Sequence, residues 1–208
     1  GGRGIGRFSP TRWAIEAYEP QDHRGSEFAI RKFYLYNDSA NVPKGAKVGD
    51  TVYLRWDQEK AQDPYWPSTR KWDWVDPLNV EITGQYNDQP YLRLAETYLL
   101  RAEAEFKQGK LEEAAETLNI IRRRANASEI TAADVTLDFI LDERSRELLT
   151  EEHRRYTLLR TGTWLERTQR YNPIAAPNIA PRDTLFPIPQ AVIDANLHHK
   201  MRQNPGYE

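Results

Sequence analysis

The sequence contains no cysteine, a single methionine and no apolar run long enough to span a bilayer. Without cysteine the chain forms no disulfide, has no thiolate nucleophile and offers no sulfur ligand to zinc. Its first ten residues, "GGRGIGRFSP", lack the apolar core of an export signal. As given, the chain is therefore not expected to cross a membrane or to direct its own export.

The chain also lacks a strong net charge of either sign, because it contains 29 Lys and Arg and 31 Asp and Glu, for a net charge of −2. Such a balance provides no field that would hold the protein to nucleic acid or to an anionic membrane. The 39% hydrophobic and 29% charged content is typical of a soluble globular protein. We expect neither nucleic acid nor a membrane surface as a direct partner.

The amino-terminal part, residues 1–89, has no sustained periodicity, because Pro, Gly, Asp and aromatic residues interrupt each segment. Short strands are predicted within Phe28–Tyr36 and within "DTVYLRW" at 50–56. One short helix is predicted over Thr11–Tyr18. Long ordered loops usually exist for function, so residues 1–89 are predicted to form a loop-rich region that faces a ligand.

From residue 90 the apolar period becomes helical. The segments 91–109 and 110–125 each present one apolar stripe, and Gly109 lies where the first helix is expected to end. Two helices so close in sequence are expected to pack antiparallel as a tetratricopeptide-type hairpin. Their stripes contain Leu92, Ala95, Leu99, Ala102 and Phe106, then Leu111, Ala114, Ala115, Leu118, Ile121 and Ala125.

Further helices are predicted after the hairpin. A third is expected from near Thr136 through residue 155, and a fourth over 155–171, with Gly162 as the expected break. The proline-rich end permits only a short helix at 189–196. The predicted fold is therefore mainly α, with residues 90–208 as a helical scaffold region, accompanied by long ordered loops and a few short strands.

Catalysis finds little support in the sequence. Glu143 and Glu147, one helical turn apart, could act as an acid–base pair, but Arg144, Arg146 and Arg154 nearby favour a salt-bridge network instead. No nucleophile motif accompanies any histidine. His198 and His199 lack a third ligand at metal spacing. The run Arg122–Arg124 is explained by the favourable position of cations at a helix carboxyl end. No cofactor is expected.

The stretch "DPYWPSTRKWDWVD", residues 63–76, is the strongest candidate for ligand contact. Its rings stand among charges and prolines, where burial of all of them is not expected. Aromatic faces can cover the apolar faces of sugar rings while polar side chains bind the hydroxyl groups. The predicted stacking residues are Trp66, Trp72 and Trp74, with Tyr65 and Trp56 beside them and Arg70, Lys71, Asp73 and Gln58 as polar contacts.

Several segments together resemble the SusD/RagB family of outer-membrane nutrient-binding lipoproteins. "YLRLAETYLLRAEA" (91–104) is similar to a helix of that family with recurring Arg-Leu-Ala-Glu and Ala-Glu-Ala steps. "LNIIRRRA" (118–125), "ILDERSREL" (140–148) and "EEHRRYTLLRTG" (151–162) follow in the family's order, and so do "LFPIP" (185–189) and "QNPGY" (203–207). Each motif is weak alone, but their shared order makes the resemblance specific.

The resemblance implies a SusD-like fold and a non-catalytic role. Family members bind an oligosaccharide or a peptide at the outer-membrane surface and deliver it to a SusC-like TonB-dependent transporter. They also begin with an export signal and a lipidated cysteine, so the 208 residues are expected to be the carboxyl-terminal part of a longer protein. An alternative is a protein-interaction module that docks on the transporter barrel or on a preceding half of the same protein.

Overall fold

The computed structural model describes residues 8–56, 65–74, 76–79 and 86–208. The chain divides into two compact units, Gly1–Glu152 and His153–Glu208. The change of pattern near residue 90 is a change of secondary structure: the short strands precede this residue and the longer helices follow it. The assignment of residues 1–89 to a ligand-facing region stays a prediction.

The first part of the first unit contains one short helix and two small sheets. Helix α1, Arg12–Glu16, begins after Thr11, whose hydroxyl accepts a hydrogen bond from the Ala14 amide. Strands β1 (Ile30–Arg31) and β4 (Ser68–Thr69) pair antiparallel, as do β2 (Phe33–Leu35) and β3 (Thr51–Tyr53). The helix and the strands predicted within 28–36 and 50–56 are confirmed, and β4 adds a short strand inside the aromatic stretch.

The helical hairpin forms the hydrophobic core of this unit. Helix α2 (Leu94–Lys107) and helix α3 (Leu111–Arg124) are joined at Gly109, which has a φ of +75°. Both apolar stripes are confirmed in the core, although Leu92 precedes α2 and is exposed. Small side chains let the two helices approach closely. The core consists of Leu99, Ala102, Ala114, Ala115, Leu118, Ile121, Val135, Ile140 and Leu148.

The prediction for the third and fourth helices is wrong in its boundaries. Helix α4 spans Leu137–Glu147 and ends well before residue 155, because the chain turns at Thr150, which has a φ of +65°. The predicted fourth helix is two helices, α5 (Arg154–Arg160) and α6 (Trp164–Tyr171), with Gly162 between them at a φ of +72°. Helix α7, Gln190–Asp194, confirms the last prediction.

The second unit is held together around Arg155. Its guanidinium lies 4.5 Å from the ring centre of Trp164 and 4.4 Å from that of Phe186, in two cation–π contacts. It also donates a hydrogen bond to the Asp183 carbonyl at 2.6 Å. The Tyr207 hydroxyl donates to the Asp183 carboxylate at 2.9 Å, which fixes the end of the chain on the same segment.

Candidate functional site

A buried ionic network lies between the helices of the first unit, with Glu143 of α4 at its centre. Its carboxylate is fully buried and accepts hydrogen bonds from Arg24 at 2.7 Å, Arg122 at 2.8 Å and Arg146 at 2.8 Å. Burial alone would raise the pKa of Glu143, but the three cations outweigh it and lower the pKa below its ordinary value. Glu143 is therefore ionised at neutral pH and has no proton to donate as a general acid.

One turn further along α4, Glu147 binds a second set of cations. It accepts hydrogen bonds from Arg93 at 2.7 Å and Arg124 at 2.8 Å, and from Arg24 at 3.2 Å. Glu151 in turn pairs with Arg93 and Lys71. We call the whole set the carboxylate–arginine network; its members are Glu19, Asp22, Arg24, Lys71, Arg93, Arg122, Arg124, Glu143, Arg146, Glu147 and Glu151.

The predicted salt-bridge network is confirmed, but Arg144 does not bind Glu143 or Glu147 as predicted. Arg146 binds Glu143 as expected, whereas Arg144 binds Glu96 at 2.9 Å and Glu152 at 2.6 Å. Successive residues of a helix point in different directions, so Arg144 faces other partners than Glu143 does. The other arginines that bind Glu143 and Glu147 come from distant parts of the sequence.

A cleft of about 560 Å³ opens beside this network. Part of the aromatic stretch forms one side of it, and side chains of the network form another. We call it the candidate cleft. Its lining is His23, Arg24, Ala29, Lys71, Trp72, Asn87, Asp88, Pro90, Arg93, Arg124, Ala125, Glu147 and Glu151.

The structure places the predicted aromatic residues in different environments. Trp72 is half-buried, lines the candidate cleft and donates a hydrogen bond from its indole nitrogen to the Thr150 hydroxyl at 2.9 Å. Trp74 is 38% exposed and meets Tyr86 edge to face, with ring centres 6.5 Å apart. Tyr65 is exposed and Trp56 is partly buried.

Trp66 requires a correction, because only 7% of it is exposed. Its indole nitrogen donates to the Pro10 carbonyl at 2.9 Å. A ring closed off in this way presents no face to a ligand, so Trp66 fixes the loop and is not a stacking residue. An extended segment would have pointed Trp72 and Trp74 the same way. Residues 70–73 instead form a turn closed by a hydrogen bond from the Asp73 amide to the Arg70 carbonyl.

The residues predicted as polar contacts also lie in different environments. Lys71 lines the candidate cleft, where its ammonium donates to the Glu147 carbonyl at 2.7 Å and to Glu151. Burial is the main cause of a lowered Lys71 pKa. Arg70 and Asp73 bind each other at 2.9 Å, so they support the turn. Gln58 lies outside the described residues.

Sequence reasoning missed most of the cleft lining. Arg93 and Glu147 lie in the predicted helical scaffold region, 90–208, and the position of Arg124 at a helix carboxyl end explains it without a ligand. Only the folded structure brings these residues beside Trp72. No local signal distinguishes Arg93 and Glu147, because both segments, 91–104 and 137–148, contain several other charged residues.

Metal binding and membrane spanning find no support in the part of the chain that the structure describes. There, no group of three or more His, Cys, Asp or Glu residues is arranged to hold a metal ion. Across residues 8–56, 65–74, 76–79 and 86–208, none of the helices combines the length and apolar character needed to cross a bilayer.

Two curated relatives are similar to this chain over part of their length. The starch-binding protein SusD of Bacteroides thetaiotaomicron is 37% identical over 127 residues, which cover 58% of this chain and 22% of the relative. The SusD-like protein P25 of Formosa agariphila is 32% identical over 146 residues, which cover 62% of this chain and 27% of the relative. The chain thus spans about a quarter of the length of these relatives.

Solved structures match the fold more completely. The surface glycan-binding protein A of Bacteroides fluxus is 26% identical, with a TM-score of 0.59 over 95% of this chain and 40% of that protein. A SusD superfamily protein of Bacteroides fragilis, at 20% identity, gives a TM-score of 0.58 over 96% of this chain and 40% of its own, which supports the fold alone. The family model for the SusD family matches residues 57–207. Because that match covers more than half of the 208 residues, this chain belongs to the SusD family.

Proposed function

We propose that this chain forms part of a non-catalytic protein that binds an extracellular saccharide at the candidate cleft. The observation that carries the proposal is the position of Trp72, which presents a half-buried ring in a cleft lined mainly by charged side chains, with Asn87, His23 and three small apolar residues completing the lining. An aromatic face beside hydrogen-bonding groups suits a sugar, which has apolar faces and a hydroxyl edge.

The state of the carboxylates supports a role in binding and not in hydrolysis. Glycoside hydrolysis commonly requires one carboxyl group that holds a proton and a second that is free to attack or to activate water. Glu143 and Glu147 instead each accept hydrogen bonds from three arginines, and the pKa of Glu143 is lowered. Turnover that is lost in Glu143→Gln would contradict this part of the proposal.

Delivery to a SusC-like TonB-dependent transporter at the outer-membrane surface is a further part of the proposal. Its support is membership of the SusD family, together with relatives named as starch-binding and surface glycan-binding proteins. Copurification of the full-length protein with a transporter from the native membrane tests it. A full-length protein that is never found with such a barrel would contradict it.

Calorimetric titration against a panel of neutral and acidic oligosaccharides tests the binding site. Trp72→Ala is expected to weaken binding about tenfold or more, as the loss of a central aromatic contact does. Tyr53→Ala is the matched control, because Tyr53 is exposed but lies outside the cleft lining, and we expect its affinity to stay unchanged. Equal affinity of Trp72→Ala and the wild type would contradict the site.

A second candidate function is protein docking through the exposed pair Trp74 and Tyr86, with Leu78 nearby in sequence and 95% exposed. Exposed aromatic residues are common anchors of protein interfaces. Loss of transporter copurification in Trp74→Ala, with saccharide affinity retained, would support this function. The opposite pattern would assign Trp74 to the saccharide site.

A further inference from the structure

We propose that the candidate cleft selects saccharides that carry an anionic group, a carboxylate or a sulfate, and that Arg124 is the residue that pairs with this group. The inference rests on the proposed saccharide function and specifies its ligand class. It is carried by the charge balance of the network, by the exposure of Arg124 and by the position of Trp72 in the same lining.

The carboxylate–arginine network has one positive charge in excess. Its cations number six and its carboxylates five, counting each residue named in the network once. Buried ion pairs are stable when their charges balance, so an unmatched cation belongs where solvent or a ligand can reach it. The excess charge is therefore expected at the most exposed cation.

That cation is Arg124. Its side chain is 60% exposed, compared with 4% for Arg122 and 9% for Arg24. One terminal nitrogen, Nη2, donates to both oxygens of Glu147 at 2.8 Å. The other two nitrogens, Nε and Nη1, have no hydrogen-bond partner among the described residues. A guanidinium that is anchored on one side and open on the other suits a carboxylate or sulfate, whose oxygens match its geometry.

Asp88 opposes this arrangement and makes the proposal easy to test. It is an exposed carboxylate in the same lining, and it would repel an anionic ligand. If the cleft instead binds neutral sugars, Arg124 and Asp88 would together bind hydroxyl groups. Asp88→Asn is therefore expected to strengthen binding if the ligand is anionic and to weaken binding if the ligand is neutral.

The test is a titration with matched pairs of ligands. Oligogalacturonate is compared with its methyl ester, and a sulfated galactan oligosaccharide with its desulfated form, so that the carboxylate and the sulfate are examined separately. We expect the wild type to prefer at least one acidic ligand over its neutral partner. Arg124→Gln should weaken acidic binding about tenfold, as the loss of a charged hydrogen bond does. Binding of the neutral partner should weaken less than binding of the acidic ligand.

Arg123→Gln is the matched control, since Arg123 lies on the same helix, carries the same charge and pairs with Glu116 and Glu129 outside the cleft lining. Its affinity for the acidic ligand should change by less than about twofold. Arg124→Lys keeps the charge and should retain the preference for the acidic ligand. If thermal unfolding shows that Arg124→Gln is poorly folded, Asp88→Asn tests the ligand class in its place.

The results separate the ligand class from the function. Equal losses for acidic and neutral ligands in Arg124→Gln, or weaker binding in Asp88→Asn, would overturn the assignment of an anionic ligand and leave saccharide binding intact. A wild-type protein that binds no saccharide would overturn the proposed function itself, before any variant is examined.

Discussion

Three arginines converge on the Glu143 carboxylate from three parts of the chain: a 3₁₀ turn, helix α3 and helix α4 itself. Buried ion pairs add little net stability compared with apolar residues of the same volume, but the loss of one partner leaves the others unpaired in the interior. Arg24 and Arg122 also pair with other carboxylates, so Glu143 connects several ion pairs from parts of the chain that are far apart in sequence.

Glu143→Gln is expected to lower the free energy of unfolding by about 3 kcal/mol, because the amide keeps the shape and removes the charge that faces three arginines. Urea unfolding followed by circular dichroism measures this change. Glu116→Gln removes an exposed ion pair and should change the free energy of unfolding far less than Glu143→Gln does. Equal costs for the two variants would show that the network is not a major source of stability.

Stability should also depend on pH in the acid range. The pKa values of Glu19, Glu143 and Glu151 are lowered from the ordinary 4.5. The unfolded chain then binds more protons than the folded one as the pH falls through 4.5, so the stabilisation by these carboxylates is fully present near neutral pH and is lost as the pH decreases. Urea unfolding from about pH 7 to about pH 3 measures the slope. Glu143→Gln should make it shallower, and an unchanged slope would contradict the lowered pKa.

At the scale of elements, residues with positive φ set the helix boundaries. Gly109 and Gly162 were identifiable from the sequence, because glycine adopts this conformation without strain. Thr150 was not, since threonine rarely adopts a positive φ and the surrounding residues continue the helical pattern. The end of α4 thus depends on tertiary contacts, among them the hydrogen bond from Trp72 to the Thr150 hydroxyl.

Gly109→Ala tests the first of these boundaries. Alanine at a φ of +75° should lower the free energy of unfolding by about 1 kcal/mol, and the cost is conformational because no atom lies within 4 Å of the added methyl group. Thermal unfolding measures it. Gln108→Ala, at a φ of −89°, is the control and should change stability by less than about 0.5 kcal/mol. A larger loss of stability in Gln108→Ala than in Gly109→Ala would show that the Gln108 side chain, and not the φ of Gly109, is the main contribution to stability at this boundary.

The candidate site also combines features that the local sequence predicts with features that depend on tertiary contacts. Period and composition predicted the hairpin stripes and the salt bridges of α4, because these depend on residues close in sequence. The candidate cleft depends on contacts between residues 71–72, 87–93, 124 and 147–151, and no local pattern joins these segments. Likewise, nothing in "DPYWPSTRKWDWVD" distinguishes the buried Trp66 from the exposed Trp74.

At the scale of the first unit, residues 66–72 of the aromatic stretch are fixed to other parts of the unit at several points. Trp66 binds Pro10, Lys71 binds Glu147 and Glu151, and Trp72 binds Thr150. A loop held in this way keeps its conformation before a ligand arrives, which lowers the entropy cost of binding. Binding and folding thus share residues in this part of the molecule.

The different roles of Trp66 and Trp74 can be tested by measuring the stability of their alanine variants. Trp66→Ala should cost about 3 kcal/mol or more, because it empties a buried site and leaves the Pro10 carbonyl without its donor. Trp74→Ala should cost less than about 1 kcal/mol, since the ring is partly exposed. Chemical denaturation of both variants provides the comparison. A reversed order would show that the two rings have been assigned to the wrong roles.

Whether the candidate cleft is the saccharide site is tested most directly by nuclear magnetic resonance of the indole N–H groups. The spectra are recorded during titration with a saccharide that the protein binds. The chain has six tryptophans, so six signals are expected, and single Trp→Phe variants assign them. We expect the Trp72 signal to shift until the site is saturated, while the signal of the buried Trp66 stays in place. A saccharide that binds without moving the Trp72 signal would contradict the claim that the candidate cleft is the binding site.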